Sequence, residues 1–422
     1  MSRPKREVNQ NSIVVIGAGI VGLAIAYQLR HDALDVVVVD RDPAGDKASF
    51  GNAGGIAVTE IVPASVPGLA WRLPGWLLDP LGPLSVRPAH APRLLPWLRR
   101  FAKVGTPKEM ARIASALAIL NRRVYEDLVP MLAETGLSGE LIRKGALTVY
   151  ETEGGYRRDA DEWTMKRVNG IAVEDLTADD ARRLEPALGN LVRRAVFTPQ
   201  WSHVRDPKRL VDALRTWLLG RGVTILTGQV RDIVAASANR VTIELDDGRS
   251  ISGAKAVVAA GAWSGLLARR LGDPVLLESE RGYNTTLPDP RVVIDREIIF
   301  AERKFVATPL SCGLRIGGAA EFGGLEAVAN FKRSRALVKL AARYLPALET
   351  EGGTAWAGHR PATPDSLPVI GPSPRHPNVF YAFGHGHLGL TQAAPTGRLI
   401  ADLIGRKPAT IDMSPYSIAR FS

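Results

Sequence analysis

Short apolar runs alternate with polar turns along the chain, and the first run sets the reading. Ile13-Val14-Val15-Ile16 has the length and β-branched composition of a fully buried strand. Residues 23–30 continue as a helix, and 36–39 form a second apolar strand that ends at Asp40. Similar patterns return later: a helix over 207–220, a strand over 223–226 and a buried strand over 256–260. The turn Asp246-Asp247-Gly248 joins 241–245 to 250–252 as a hairpin. Helical spacing is predicted over roughly 108–134 and 327–344. Strand-like alternation marks 281–286, 292–294, 297–308 and 314–319.

The join between the first strand and its helix reads Gly17-Ala18-Gly19-Ile20-Val21-Gly22, a G-x-G-x-x-G with Ala26 four residues on. Gly17 permits the tight turn, Gly19 lets the backbone approach a pyrophosphate, and Gly22 and Ala26 let the helix pack closely on the sheet. The free amides of the helix start favour phosphates, and Asp40 can accept from ribose hydroxyls. This βαβ unit predicts dinucleotide binding. Arg3, Lys5 and Arg6 before an apolar run, with Ala24-Ile25-Ala26 as a mock cleavage site, would also suit a secretory signal, but cleavage there would destroy the unit.

Composition narrows the class. With 422 residues, 45% apolar and 23% charged, the chain is expected to be globular, with two or three structural units. One cysteine, Cys312, excludes an intrachain disulfide and a multi-cysteine metal or iron–sulfur centre, and no metal site is predicted. The 54 Lys and Arg against 43 Asp and Glu give a net charge of +11. The excess is dispersed, with no long basic block, so a solvated surface is expected and a nucleic-acid partner is not. No apolar stretch is long enough for a spanning helix.

An NAD dehydrogenase would continue at once with further β-α repeats. Here a small-residue loop follows, Ala48-Ser49-Phe50-Gly51-Asn52-Ala53-Gly54-Gly55, whose backbone could lie against a large flat cofactor. An irregular Pro/Trp/Leu-rich stretch runs over 61–101, so a long insertion interrupts the nucleotide-binding domain. That stretch holds Trp71, Trp76, Leu94, Leu95, Trp97 and Phe101, interleaved with Arg72, Arg93, Arg99 and Arg100. It reads as a lid or packing segment, with a peripheral membrane contact as the second reading.

These residues resemble the FAD-dependent amine and amino-acid oxidoreductases: D-amino-acid dehydrogenases, glycine oxidase, D-amino-acid oxidase and sarcosine oxidase. The likeness rests on the N-terminal fingerprint, Ser49–Gly55, Thr227-Gly228-Gln229-Val230, Ala259-Ala260-Gly261-Ala262-Trp263-Ser264, Gly358-His359-Arg360-Pro361 through Gly371, and Gly384-His385-Gly386-His387-Leu388-Gly389-Leu390-Thr391. The loop at 49–55 looks most like the bacterial D-amino-acid dehydrogenase branch. The resemblance implies FAD contacts at Gly17, Gly19, Ile20, Val21, Gly22, Asp40, Arg41, Ser49, Asn52, Gly54, Gly55, Val230, Gly261 and Trp263. It adds Gly386, His387, Leu388, Gly389, Leu390 and Thr391, whose backbone would face the flavin edge that gains negative charge on reduction. The family's covalent attachment positions hold no matching Cys or His, so noncovalent FAD is expected.

At the substrate end the resemblance implies oxidation of an amine by hydride transfer from Cα to the flavin, followed by imine hydrolysis. Arg360 would hold the substrate carboxylate, and Tyr283 would assist it. His385 and His387 flank the flavin loop and are candidates for poising the amine; His359 and His203 are weaker ones. The expected fold class is α/β with an α+β substrate domain: a discontinuous Rossmann-type FAD-binding domain (1–90, 200–275, 355–422) and a mainly antiparallel-sheet substrate domain (91–199, 276–354). The expected activity is oxidative deamination of a D-amino acid. A D-proline or D-hydroxyproline-type dehydrogenase, a glycine/sarcosine-type oxidase and an FAD-carrying subunit are the alternatives. The expected partners are a small amino-acid or imino-acid substrate and an electron acceptor such as a quinone or another carrier. The expected location is the cytoplasm, with the inner face of the cytoplasmic membrane as the variant.

Overall fold

The computed structural model describes residues 9–65, 84–237 and 240–422. Ile13–Ile16 offers no polar side chain to solvent, and all four residues are buried inside a six-stranded sheet. The strand order is Thr224–Thr227, Val36–Asp40, Ile13–Ile16, Lys255–Val258, Val379–Phe383 and Val369–Pro372. The first five are mutually parallel; the last is an antiparallel edge. The helix Ile20–His31 provides the crossover between the first two strands in the chain. The C-terminal helix Gly389–Ile404 crosses it so closely that a Cβ on Gly397 would stand 2.6 Å from the Ala24 carbonyl oxygen. The helix Pro207–Gly220 starts where sequence predicts: Asp206 accepts from the Lys208 and Arg209 amides, and Pro207 has no amide to leave unpaired.

A nine-stranded, mostly antiparallel sheet forms the second layer. Its path runs Thr354–Ala362, Glu278–Leu287, Gly313–Phe322, Phe305–Leu310, Glu297–Phe300, Ala146–Tyr150, Arg194–Thr198 and Glu174–Thr177. Alternation along these strands gives two unlike faces. One carries Leu147, Ile298, Phe300, Phe305, Ile316, Tyr283 and Leu287 and is covered by Leu337, Val338, Ala341 and Tyr344 of the helix Lys332–Tyr344. The other carries Glu280, Gly282, Asn284, Arg315, Glu297, Trp356, Gly358 and Arg360. The register pairs Glu280 with Arg360, Gly282 with Gly358 and Asn284 with Trp356 across neighbouring strands. This polar face meets the loop at 46–55: Asn284 Nδ2 donates to the Gly51 carbonyl, and Arg315 Nη1 donates to the Asn52 carbonyl at 2.6 Å.

Several boundaries differ from the sequence reading. The helix predicted over 327–344 begins at Lys332. Its first residues are diverted because the Asn330 amide donates to the Tyr283 hydroxyl and the Asn330 side chain accepts from the Lys332 amide. The helix over 108–134 is two helices, Pro107–Arg122 and Val124–Glu134, divided where the Arg123 amide tightens onto the Leu120 carbonyl. Residues 292–294 pair with no strand among the described residues, and Val293 is exposed. The run 297–308 is two strands joined through Lys304 at φ +54°. Leu84–Val86, assigned by sequence to the nucleotide-binding part, pairs with Gly313–Phe322 in the large sheet.

Of the Pro/Trp/Leu-rich stretch, residues 66–83, with Trp71, Arg72 and Trp76, lie outside the described residues. Its end is the helix Ala91–Val104, which buries Leu94 and Trp97; Trp97 stacks on Phe101 and donates to the Ala362 carbonyl at 3.1 Å. Arg93, Leu95, Arg99 and Arg100 face solvent. Among the described residues, no helix is long and apolar enough to cross a membrane.

Candidate active site

Three chain segments leave the carboxyl ends of adjacent parallel strands and frame one crevice. After Ile13–Ile16, Gly17 takes φ +115°; a Cβ there would sit 2.4 Å from the Ala259 carbonyl oxygen. The helix then opens with its first-turn amides free of intrahelical partners. Ser49 Oγ accepts from the Ile20 amide at 2.9 Å. Asp40 Oδ2 accepts from the Ala18 amide at 2.7 Å, and its Oδ1 is 2.9 Å from Lys47 Nζ. Asp40 thus organises the glycine-rich turn itself, a task absent from the sequence reading. Gly228 donates to the Asp40 carbonyl, which sets Val230 beside the same strand end.

After Lys255–Val258 comes Gly261 at φ +56°, and after Val379–Phe383 comes Gly386 at φ +52°. At both positions, among the described residues, nothing beyond the immediate chain neighbours lies within 4 Å of where a Cβ would be. Arg41 lies over the Trp263 ring at 3.8 Å, bridging the second strand end to the Gly261 turn. A helix start, two unfilled glycine positions and a stacked Arg–Trp pair on one sheet edge fit a long, phosphate-bearing, planar group. FAD is such a group. Ile20 and Val21 belong to the first turn of the helix, and Leu388, Gly389 and Leu390 to the start of the C-terminal helix. The loop at 49–55 is fixed by Asn52, whose Nδ2 donates to the Ser49 carbonyl and whose Oδ1 accepts from the Gly54 amide, with Gly54 at φ +89°. Thr391 Oγ1 accepts from the Ala57 amide at 2.9 Å and ties this loop to the C-terminal helix.

Arg360 lies across Gly282, in the space a Cβ would take: its guanidinium carbon is 2.4 Å from that position. Nη1 donates to Glu280 Oε1 at 2.8 Å and to the Ala319 carbonyl at 3.0 Å. Nε and Nη2 have no partner among the described residues. His387 Nε2 stands 2.8 Å from the same Glu280 oxygen, reaching over from the turn before the C-terminal helix with its side chain 60% exposed. Burial alone would raise the Glu280 pKa, but His387 and then Arg360 outweigh it and hold it at about 2. The carboxylate is charged throughout the working pH range.

The remaining candidates are elsewhere. Tyr283 does not reach this group: the strand register turns it to the helix-covered face, where its hydroxyl donates to Glu321 at 3.0 Å and accepts from Asn330. His385 is buried, its Nε2 3.0 Å from Thr396 Oγ1, and burial drops its pKa to about 3; it is a neutral packing residue. His359 Nδ1 is 2.6 Å from Ser279 Oγ, and its ring meets Trp263 edge-on. Burial, then the charges of Arg281 and Arg41, lowers its pKa to about 4. His203 is buried opposite Gly55, with its pKa lowered to about 4 by burial and then by Arg205 and Lys144.

Two acids were missed. Glu280 forms a period-2 pair with Glu278, which marks one strand face, but its pairing with Arg360 across 80 residues is a register that local sequence does not carry. Glu297 opens an apolar strand and presses Oε2 against Gly55, 2.4 Å from where a Cβ would be. Burial, with Glu60 nearby, pushes its pKa up to about 8, and Trp201 Nε1 donates to it at 3.3 Å.

Residues 12–403 match the model of the family described as FAD dependent oxidoreductase. The chain is 34% identical to a D-amino-acid oxidase of Bradyrhizobium diazoefficiens, over 97% of this chain and 98% of that one. It is 31% identical to a D-amino acid dehydrogenase of Rhizobium johnstonii, over 97% and 99%. Among solved structures, glycine oxidase from Geobacillus kaustophilus superposes with a TM-score of 0.73 at 24% identity, covering 97% of this chain and 99% of that one. L-proline dehydrogenase from P. horikoshii gives 0.75 at 20% identity, covering 97% of each. These two likenesses establish the shared fold. With the fingerprint turn, the discontinuous parallel sheet and the matched length together, the chain belongs to the DAO family of FAD-dependent oxidoreductases.

Proposed function

We propose that the protein catalyses oxidative deamination of a D-amino acid, with noncovalently bound FAD. The carrying observation is the posture of Arg360: Nη1 is committed to Glu280 and Ala319, while the Nε–Nη2 edge has no partner among the described residues, on the face that meets the loop at 49–55. A fork held that way accepts a carboxylate bidentately, and the contact is worth about 1.5–3 kcal/mol. The names carried by the curated relatives support the D-series substrate. When bound, FAD supplies the hydride acceptor for the substrate Cα, and water then hydrolyses the imine. The chain's residues bind and orient: Arg360 fixes the carboxylate, which selects the face of Cα presented. His387 stands at the solvent side of the group, where a proton shed by the substrate ammonium leaves. The start of the C-terminal helix directs amides toward the charge that develops on reduction.

The test is anaerobic bleaching of the flavin absorbance by D- and L-amino acids, D-proline, cis-4-hydroxy-D-proline, glycine and sarcosine. Bleaching by D-acids is expected; bleaching by none overturns the reading. Bleaching fastest by the cyclic acids would move the assignment to an imino-acid dehydrogenase. The basic outer face of Ala91–Val104 supports a carrier acceptor reached at an anionic membrane surface. Sedimentation with anionic vesicles tests it, and a protein that stays in the supernatant removes that surface.

A further inference from the structure

We propose that Glu280 is the acceptor for the substrate's amino group, so that Glu280 and Arg360 together clamp both ends of an α-amino carboxylate. The inference rests on the reading of Arg360 as the carboxylate anchor. Glu280 and Arg360 stand directly opposite each other in an antiparallel register, so both side chains rise from one face of the sheet. Along the same face the neighbouring pair is Gly282 and Gly358, whose lack of side chains leaves room for the Arg360 guanidinium over Gly282 and the Trp356 ring over Gly358. Arg360 does not need Glu280 to be held in place: Nη1 also donates to the Ala319 carbonyl, and a Cβ on Gly282 would leave no room for the guanidinium. Oε1 of Glu280 meets both Arg360 and His387, whereas Oε2 has no hydrogen bond or ion pair among the described residues.

An amine that donates to a fixed carboxylate is positioned relative to the carboxylate held by Arg360, which orients the Cα–H between them. The same charge repels an anionic side chain and an amine-free acid. The pair therefore selects amino acids with uncharged side chains over simple carboxylic and dicarboxylic acids of the same skeleton.

The experiment compares ligands that differ by the amino group alone: D-alanine with propionate, and D-proline with cyclopentanecarboxylate. Dissociation constants of the amine-free acids come from perturbation of the flavin absorbance of the FAD-loaded enzyme; those of the amino acids come from anaerobic reduction. Wild type, Glu280→Gln and Glu280→Ala are titrated, with the retained flavin spectrum showing that each variant is folded. The expected result is a split: amino-acid binding weakens by about tenfold or more, while binding of the amine-free acids is unchanged or tighter because a negative charge beside Arg360 is gone. Parallel weakening of both ligand sets would make Glu280 a mere support for Arg360 and overturn the proposal. No change in either would overturn it too. A wild-type enzyme reduced by no amino acid removes the functional reading itself, a failure visible before any variant is made.

Discussion

If Arg360 anchors the substrate carboxylate as proposed, the geometry of its fork counts for more than its charge. Lysine in its place keeps the positive charge but offers a point donor, so carboxylate and Cα lose their fixed relation. Arg360→Lys is expected to lower kcat/KM for the best amino acid by about 10–100-fold. Steady-state kinetics with an artificial dye acceptor checks this, and an unchanged value removes Arg360 as the anchor. Glu297 makes a different residue-scale prediction. Its folded-state pKa of about 8 lies above the ordinary carboxylate value, chiefly through burial. The folded protein therefore keeps a proton that the unfolded chain has lost between those two values. Stability falls as pH rises through that window and levels off above about 8. Glu297→Gln keeps the group neutral at every pH. Its melting temperature relative to wild type is expected to climb between pH 5 and pH 9, by an amount corresponding to a few kcal/mol. A difference that stays flat across that range contradicts the buried neutral acid.

At the scale of elements, helix crossing and strand register separate what sequence reveals from what it conceals. The fingerprint strand, turn and helix are legible because every cue is local: four β-branched residues, three glycines and an acid at the next strand end. Pro207–Gly220 is legible for the same reason, through Asp206 and Pro207. The face on which Tyr283 sits is not, because it depends on pairing with residues more than 30 positions away, interrupted by an irregularity between Arg281 and Tyr283. His385 next to Gly386 looked chemical by position, yet Thr396 on the following helix takes its ring nitrogen. Thus the glycine turns at the strand ends could be read residue by residue, whereas the partnership of Glu280 with Arg360 exists only in the assembled sheet. The close crossing of Ile20–His31 and Gly389–Ile404 gives an element-scale prediction. A methyl at Gly397 would stand 2.6 Å from a backbone carbonyl that cannot swing aside. Gly397→Ala is expected to cost about 1–3 kcal/mol. Gly220→Ala, with nothing within 4 Å of the new methyl, is the control and should be neutral or slightly stabilising. Equal melting temperatures for the two variants would mean the helices are further apart than described.

At the scale of the molecule, the residues framing the cradle come from distant stretches of chain: 17–22 and 40–55, 261–263, and 384–391. Buried polar bonds tie the C-terminal helix to the chain that follows the loop at 49–55. Gln392 donates to Asn121, which in turn donates to the carbonyls of Val58 and Glu60, and Lys166 reaches Glu60 at 2.7 Å. FAD bound without a covalent bond, as proposed, stabilises the native chain only by its own binding free energy. Cys312, on the turn between Phe305–Leu310 and Gly313–Phe322, is exposed and near Arg315. Acid or SDS denaturation is therefore expected to release all the flavin into the supernatant. The apoprotein should melt below the loaded enzyme, and its melting temperature should climb with added FAD. At one hundred times the dissociation constant, the gain is about 2.7 kcal/mol. Absorbance of the supernatant and a melting series against FAD concentration check both halves. Flavin retained by the denatured chain, or a melting temperature indifferent to FAD, would show that the cradle holds its cofactor by a bond that these residues do not supply.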